Sequence, residues 1–160
     1  MDANPSIVDT TKPEALVPDT ATTLLILTVG LPMSGKTTWA RSTGHPIVNP
    51  DSIRLAIHGQ RFYGPCEPFV WAVAYTMVNA LFKAGHQTVI VDATNNTAKR
   101  RAEWFNRFGN VKLKFFHTLP EVCAERARQT GDAEIIPIIE RMASESDWES
   151  SGAVLLPQIE

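Results

Sequence analysis

The residues best suited to chemistry form a glycine-containing turn near the start of the chain. Residues 30–37 read GLPMSGKT and match G-x-x-x-x-G-K-[ST] at every fixed position. Backbone N–H groups of such a turn wrap a phosphate, and the helix that follows adds partial positive charge. Lys36 is placed to reach the β- and γ-phosphates, and the Thr37 hydroxyl to bind Mg²⁺. The motif therefore predicts a site for ATP and Mg²⁺.

The turn alone does not separate a kinase from a GTPase or a motor ATPase. A GTPase would need a guanine-reading N-K-x-D segment, which the sequence lacks. A motor ATPase is normally longer and carries an acidic pair after a strand, whereas Asp92 is followed by Ala93. A small kinase therefore fits best. Its predicted nucleotide contacts on the turn are Gly30, Leu31, Pro32, Met33, Ser34, Gly35, Lys36, Thr37 and Thr38.

Asp51 and Arg54, in the segment NPDSIR, form the second candidate group. They stand three residues apart at the start of a predicted helix, so their side chains face the same way. A carboxylate near the γ-phosphate can accept the proton of an attacking hydroxyl, and an arginine one turn later can hold an acceptor phosphate or steady that carboxylate. An N-cap aspartate with a helix ion pair explains the spacing equally well. The phosphate-binding turn upstream favours the functional interpretation.

Alternating strands and helices must position these residues. The apolar run LLILTV, directly before the turn, suits a strand buried on both faces. The predicted strands cover 24–29, 46–49, 87–91 and 111–117; the predicted helices cover 36–42, 51–58 with Asp51 as N-cap, 68–84, 97–108, 120–129 and 136–148. With the phosphate-binding turn, this alternation predicts an α/β, three-layer P-loop NTPase/kinase fold with a mainly parallel sheet.

Composition bounds the class of protein. Hydrophobic residues at 44% and charged residues at 20% exclude global disorder and coiled coil. The net charge of −2 excludes a strongly basic nucleic-acid-binding domain but allows a local basic patch. We expect flexible tails over 1–22 and 150–160 around a domain at 23–149. Without a signal peptide or an apolar stretch of about 18 residues, a cytoplasmic protein without a membrane partner is expected.

Taken in order, five segments resemble the kinase domain of bacteriophage polynucleotide 5′-kinases and related small P-loop kinases, including phage kinases that act on 5-hydroxymethyluracil in DNA. The segments are GLPMSGKTTWAR, VNPDSIR, VIVDATNN, AERARQTG and IIERM, and they span about residues 24–145. The resemblance implies that Asp51 is the general base and that Arg54 contacts an acceptor-side phosphate. It also implies that Asp92, with Thr94 and Asn95 beside it, supports the acceptor side of the active site.

The resemblance further implies a lid that crosses the nucleotide with arginines, for which Arg126 and Arg128 are the matching residues. An arginine there can neutralise charge that develops on the transferred phosphoryl group, which would make Arg126 part of the catalytic set. The family pattern has a basic residue just before the lid glycine, whereas this chain has Thr130 there and acidic Asp132 soon after. A solvated helix end is the plain alternative for the two arginines.

Two further groups bear on a nucleic-acid acceptor. Phe62 and Tyr63 lie in the loop after the predicted acceptor helix, where an aromatic ring can stack on a base or pin the loop to the core. Four basic residues fall on one predicted helix: Lys99, Arg100, Arg101 and Arg107. A solvated face is the favoured interpretation of these four, and steering of a DNA backbone is the alternative.

The predicted reaction is transfer of the γ-phosphoryl group of ATP to an alcohol that Asp51 deprotonates. The resemblance implies an acceptor on DNA, either the hydroxymethyl group of 5-hydroxymethyluracil or a 5′-OH end. The lack of room for a phosphatase domain favours base modification, in the host cytoplasm if the chain is phage-encoded. Small-metabolite kinases for sugars, polyols or nucleosides share the fold, as do non-enzymatic or toxin-type proteins. The oligomeric state stays open.

Overall fold

Four short apolar segments pair into one parallel sheet in the computed structural model, which describes residues 23–147. The strands are β1 (Leu24–Val29), β2 (Ile47–Val48), β3 (Thr88–Val91) and β4 (Val111–Phe115), in the order β2-β3-β1-β4. Ile26 pairs with Ile90 of β3, and Leu27 pairs with Leu113 of β4. Since all the pairings are parallel, the carboxyl ends of the strands meet at one edge, where ligands of such folds bind.

Six helices connect and flank the strands in the described residues. They are α1 (Lys36–Ser42), α2 (Pro50–His58), α3 (Glu67–Lys83), α4 (Ala98–Phe105), α5 (Pro120–Gln129) and α6 (Ile136–Glu145). Single 3-10 turns precede α3 at Gly64–Cys66 and α6 at Ala133–Ile135. The predicted fold class is confirmed, and both β1 and α5 have the predicted limits.

The start of α2 differs from the sequence prediction. The N-cap is Asn49, whose side-chain oxygen accepts a hydrogen bond from the Ser52 backbone N–H at 2.9 Å. Pro50 takes the first helical position, where its missing N–H costs nothing, so Asp51 lies inside the first turn instead of capping it. The Asp51 carboxylate therefore does not cap the helix.

Some sequence predictions fall outside the described residues. These are the two tails, 1–22 and 150–160, and the end of the last predicted helix at 148; within the described part of the chain α6 ends at Glu145. In that same part, no helix combines the length and the apolar character needed to cross a membrane.

The period-two alternation of β1 sends its side chains to opposite faces of the sheet. Leu25 and Leu27 belong to the larger core cluster, with buried side chains of α3 and α4. Ile26 belongs to a smaller cluster that it forms with Ala40 of α1 and Ile90 of β3. Helices thus cover both faces, which explains why β1 is apolar throughout.

Trp104 of α4 joins two helices to the larger cluster. Its side chain is fully buried and lies edge to face with Tyr75 of α3 at a ring-centroid distance of 4.5 Å. It also contacts Trp71 of α3 at 6.4 Å and stacks with Phe108 at 5.9 Å. These contacts hold α4, which follows β3, against α3, which follows the loop after α2.

We expect Trp104→Ala to lower the free energy of unfolding by about 3–5 kcal/mol, because it leaves a large cavity between α3 and α4. Urea unfolding followed by circular dichroism measures the loss. The matched control is Phe69→Ala, which removes a ring that is 67% exposed on α3 and should change stability by less than about 0.5 kcal/mol. Equal losses in the two variants would contradict this packing.

Candidate active site

The phosphate-binding turn leaves β1 at the carboxyl edge of the sheet. Gly30 lies so close to the segment after β4 that an added Cβ would stand 2.9 Å from the Phe116 backbone oxygen, closer than side-chain carbons approach. Its N–H donates to the Thr94 carbonyl at 3.1 Å, which ties the turn to the segment after β3. Met33 takes a left-handed backbone conformation with φ 63°. Such backbone strain persists where the surrounding structure holds it, typically at ligand sites.

Lys36 begins α1 with its side chain folded back over the turn. Its ammonium Nζ donates to the Leu31 carbonyl oxygen and, at 3.3 Å, to Ser34 Oγ. Burial lowers the Lys36 pKa to about 8, and the nearby acidic groups of Asp92, Cys123 and Asp51 offset only part of that effect. The lysine is therefore a desolvated cation held on exchangeable hydrogen bonds, which phosphate oxygens can replace.

Three segments meet at the carboxylate of Asp92, which follows β3 and is 3% exposed. Thr37 Oγ1 donates to Asp92 Oδ2 at 2.7 Å, and Asn49 Nδ2 donates to the same oxygen at 3.0 Å. A P-loop threonine with a strand-end aspartate is the oxygen donor set that binds Mg²⁺ in P-loop proteins. The Thr37–Asp92 pair therefore has the chemistry to hold Mg²⁺ beside the phosphate-binding turn.

Asn49 is a site residue that the sequence analysis missed. It caps α2, and its amide holds both the carboxylate and the backbone oxygen of Asp92, the latter at 3.2 Å. The pattern Asn-Pro before a short helix is a known cap signal and could have identified its first role. The second role needs the parallel pairing of β2 with β3, which brings the two strand ends together.

At the carboxyl edge of the sheet, we name the space between the segments that follow β2 and β4 the cleft, and Arg54 of α2 holds two carboxylates beside it. Its Nη1 donates to Asp51 Oδ1 at 2.6 Å, while Nε and Nη2 form two hydrogen bonds of 2.7 Å with Glu67 at the start of α3. The hydrogen bond with Glu67 is the main cause that raises the Arg54 pKa, and Arg54 in turn lowers the Glu67 pKa. Glu67 is a second residue that the sequence analysis missed, because it lies 13 positions from its partner.

The exposed fractions of Asp51 and Arg54 distinguish between the two predicted roles of Arg54, which are to hold an acceptor phosphate or to steady the Asp51 carboxylate. The Asp51 side chain is 78% exposed, so its free oxygen faces solvent, whereas Arg54 is only 12% exposed. Arg54 directs three nitrogens to protein carboxylates. The arrangement fits an arginine that steadies Asp51 better than one that waits for an acceptor phosphate.

The two predicted lid arginines are placed differently. Arg126 Nη1 donates to the Met33 carbonyl oxygen at 3.0 Å, so this side chain reaches the phosphate-binding turn. Arg128 pairs with Glu125 one helical turn away at 3.2 Å, on an exposed side of α5. Beneath them, Leu31 packs in a small buried cluster with α5 and α6. Helix α5, which carries both arginines, therefore packs against the phosphate-binding turn.

Thr94 and Asn95, in the segment after β3, contact the first residue of the turn and the end of β1, respectively. The Thr94 carbonyl accepts from Gly30, as above, and the buried Asn95 amide donates to the Thr28 carbonyl at 2.9 Å. Arg101 donates to the Asn95 backbone oxygen at 3.0 Å. Each of these contacts is to the protein's own backbone, and each braces the strand end that carries the phosphate-binding turn.

Of the four basic residues on and just after α4, Arg101 is buried and Arg100 is half-buried, whereas Lys99 and Arg107 are exposed. The Arg100 guanidinium lies 3.8 Å from the centre of the Trp71 ring, and Arg107 lies 4.2 Å from that of Tyr75. Arg101 is buried and pairs with Asp147 at 2.7 Å. Cation–π contacts and ion pairs thus occupy three of the four residues, which explains their clustering without a DNA backbone.

A family model described as "AAA domain" (AAA_33) matches residues 25–145. The chain belongs to the AAA_33 family. The matched span begins in β1, ends with α6 and contains every residue of the site described above. No curated protein matches the AAA_33 chain.

Solved structures share the fold of this AAA_33 domain. A chain in "Structure of Pnkp1/Rnl/Hen1 complex" is 28% identical with a TM-score of 0.61, over 66% of this chain and 39% of that one. A chain in "Structure of the Pnkp1/Rnl/Hen1 RNA repair complex" is 22% identical with a TM-score of 0.61, over 79% and 47%. The AAA_33 chain therefore spans less than half the length of these two.

The APS kinase CysC of Mycobacterium tuberculosis, in complex with AMPPNP and APS, is 19% identical with a TM-score of 0.57, over 71% of this chain and 73% of that one. At this identity the likeness shows the fold alone. Together with the AAA_33 match, these structures confirm the predicted P-loop kinase fold.

Lys36→Met should stabilise the protein at neutral pH while it abolishes ATP binding. The folded-state pKa is about 8 against 10.5 for an ordinary lysine, so the buried cation lowers stability by about 3 kcal/mol below pH 8. This cost disappears as the pH rises from 8 to 10.5, and the advantage of the variant should shrink over the same window. Urea unfolding across this pH range and calorimetric titration with ATP measure both effects. A stability difference that is independent of pH would contradict the buried-cation account.

Glu67→Gln should lower the free energy of unfolding by about 1–3 kcal/mol at neutral pH, because a largely buried Arg54 loses its charged partner. Since the Glu67 pKa is lowered from 4.5, this stabilisation is present above that pH and is lost as the pH falls below it, so variant and wild type should converge in acid. The control is Glu145→Gln, in an exposed pair 3.9 Å from Arg141, with an expected change under about 0.5 kcal/mol. Urea titrations at several pH values decide, and equal effects of the two variants would refute the role of Glu67.

Proposed function

We propose that this chain is a Mg²⁺- and ATP-dependent kinase that transfers the γ-phosphoryl group to a hydroxyl of DNA. The observation that carries the proposal is the convergence of three groups at one edge of the sheet. These are the buried Lys36 ammonium, the Thr37–Asp92 pair and the Asp51 carboxylate. The charge of Asp51 reaches Lys36, where it opposes the lowering of the Lys36 pKa by burial. In this proposal, the three groups are a cation that binds phosphate, a pair that binds the metal ion and a carboxylate that accepts the hydroxyl proton, all within one cleft.

In this scheme the turn amides and Lys36 hold the β- and γ-phosphates, and Arg126 faces the developing charge from the lid. Thr37 and Asp92 would bind Mg²⁺, which supplies further neutralisation of phosphate charge when present. Asp51 accepts the proton of the acceptor hydroxyl, whose oxygen attacks the γ-phosphorus in line. A new O–P bond forms, the bond between the γ-phosphorus and the bridging oxygen breaks, and ADP leaves.

A nucleic-acid acceptor is supported by the 28% identity to a chain of the Pnkp1/Rnl/Hen1 complex, a second structure of which is described as an RNA repair complex. Phe62 and Tyr63 add a local feature, since both rings are exposed in the loop between α2 and α3. Exposed aromatic rings beside a phosphate site can stack on bases. Among DNA hydroxyls, the resemblance to phage base-modifying kinases favours the hydroxymethyl group of 5-hydroxymethyluracil over a 5′-OH end.

A small-metabolite kinase is the second candidate. The observation that favours it is coverage: the shared fold extends over 73% of the APS kinase chain but only 39% of the Pnkp1/Rnl/Hen1 chain. A metabolite acceptor predicts phosphorylation that is insensitive to salt, whereas contacts with a DNA backbone weaken as salt rises.

The deciding experiment is transfer of radiolabelled γ-phosphate from ATP, with Mg²⁺, to three DNAs. These are a plain 5′-OH oligonucleotide, the same strand with a 5′-phosphate, and a duplex with internal 5-hydroxymethyluracil and phosphorylated ends. Label confined to the 5′-OH strand identifies an end kinase, and label on the internal bases identifies a DNA-modification kinase. No label on any DNA, although the protein binds ATP, would overturn the proposal in favour of a metabolite hydroxyl.

Asp51→Asn should lower kcat on the labelled acceptor by at least about 10²-fold, because the amide cannot accept the hydroxyl proton. ATP affinity should stay within about threefold of the wild type, since Asp51 is not part of the phosphate-binding turn. Steady-state kinetics and ATP titration measure the two values. Glu145→Gln, an exposed acidic residue on α6, is the control and should leave kcat unchanged. Full activity of the asparagine variant would remove Asp51 from the mechanism.

A further inference from the structure

An ion pair joins the two arms of the domain. Arg61, in the loop between α2 and α3, donates through Nη1 to Asp132 Oδ1 at 2.8 Å and through Nη2 to Asp132 Oδ2. Asp132 follows α5, so the partners are 71 positions apart in the sequence. We call this pair the Arg61–Asp132 bridge.

The sheet order shows where the bridge lies. The Arg61 loop belongs to the arm that follows β2, and Asp132 belongs to the arm that follows β4; β2 and β4 are the two edges of the sheet. Neighbouring strands are about 4.8 Å apart, so these edges are separated by about 14 Å. The phosphate-binding turn and Asp92 follow the two strands in between, β1 and β3. A contact between the two arms therefore spans the cleft that holds the phosphate and metal groups.

Arg61 is also near the proton acceptor. The hydrogen bond with Asp132 is the main cause that raises the Arg61 pKa, and the carboxylates of Asp51 and Glu134 add to it. Two arginines thus lie within the electrostatic reach of Asp51. Arg54 is 12% exposed and is held by Glu67, while Arg61 is 65% exposed.

The two arginines differ in how easily their partners can be exchanged. Arg61 is 65% exposed and Asp132 is 22% exposed, and an ion pair with so exposed a partner contributes little to stability, so a competing anion can replace Asp132 at low cost. Loss of the Glu67 partner would instead leave Arg54 buried without charge balance. Arg61 is followed directly by the exposed rings of Phe62 and Tyr63. The loop thus presents a bidentate phosphate donor next to two stacking surfaces.

We propose that Arg61 is the acceptor-binding cation of this chain, that Asp132 occupies it when no acceptor is present, and that a phosphodiester group of the acceptor replaces the Asp132 carboxylate. The exchange opens the bridge across the cleft and admits the acceptor in the same step. This inference rests on the proposed nucleic-acid acceptor. Only ion pairs and hydrogen bonds are exchanged, and no covalent bond changes.

The proposal gives opposite signs for the two halves of the bridge. Arg61→Gln removes the cation and should weaken binding of a single-stranded oligonucleotide about tenfold, with a salt slope that is smaller by about one. Asp132→Asn removes the competing carboxylate and should tighten binding about threefold. A bridge that only stabilises the fold or closes the cleft predicts the same direction for both variants, because each breaks the same pair.

The test is a fluorescence-anisotropy titration with the full chain, in the presence of a non-hydrolysable ATP analogue, of two labelled DNAs: an eight-nucleotide 5′-OH strand and a duplex with internal 5-hydroxymethyluracil. Wild type, Arg61→Gln, Asp132→Asn and the double variant are compared at about 50 and 200 mM NaCl. Arg141→Gln is the control for loss of one exposed arginine, since Arg141 pairs only loosely with Glu145 on α6. Urea unfolding of each variant verifies that the domain is folded.

Opposite shifts, with the control unchanged, support the exchange at Arg61. Shifts in the same direction, or none in either variant, overturn it. The transfer assay on wild type separates this result from the proposed function. Opposite shifts without transfer to DNA would leave Arg61 as an anion-binding residue and reject DNA phosphorylation. Transfer without opposite shifts would leave the kinase and reject the exchange, and a wild type that neither binds nor phosphorylates DNA would reject both.

Discussion

The buried carboxylate of Asp92 is the constraint on which the arrangement of the site depends. A carboxyl group at 3% exposure is costly to bury unless hydrogen-bond donors satisfy it, and here the donors are Thr37 and Asn49. One comes from the phosphate-binding helix and the other from the cap of α2. Thr37 follows β1, Asn49 follows β2 and Asp92 follows β3, so segments from three strand ends meet at this one carboxyl group.

The same site carries a desolvated cation that weakens the protein by itself. Burial lowers the pKa of Lys36 to about 8, although Asp92 and Asp51 are close enough to counteract it. Bound phosphate would supply the missing charge, so the energy lost in the free protein becomes binding energy for the nucleotide. At Lys36, the same buried charge lowers the stability of the free protein and would raise its affinity for the nucleotide. Such a trade-off is common at binding sites.

Two arginines within the electrostatic reach of Asp51 differ in their exposure and in their partners. Arg54 is held by Glu67 and orients the Asp51 carboxylate. Burial and fixed partners suit this positioning role, because they restrict the movement of the guanidinium. Arg61 is exposed and held by a carboxylate from the opposite arm, which suits a task that needs exchange. The acidic Asp132 after Gly131 departs from the pattern of the phage kinases that this chain resembles. Its contact with Arg61 gives a physical reason for that difference.

The sequence by itself determined the features that depend on neighbours along the chain: the phosphate-binding turn, the alternation of strands and helices, and the parallel α/β class. It placed β1 and α5 correctly and missed the cap at Asn49 by two positions, because two cap residues competed in one short segment. Only the tertiary structure decided that Asp92 faces Thr37, that Glu67 holds Arg54, and which basic residues stack on aromatic rings. Those contacts join residues 13 to 55 positions apart, and their geometry depends on strand order and helix packing, which local spacing does not specify.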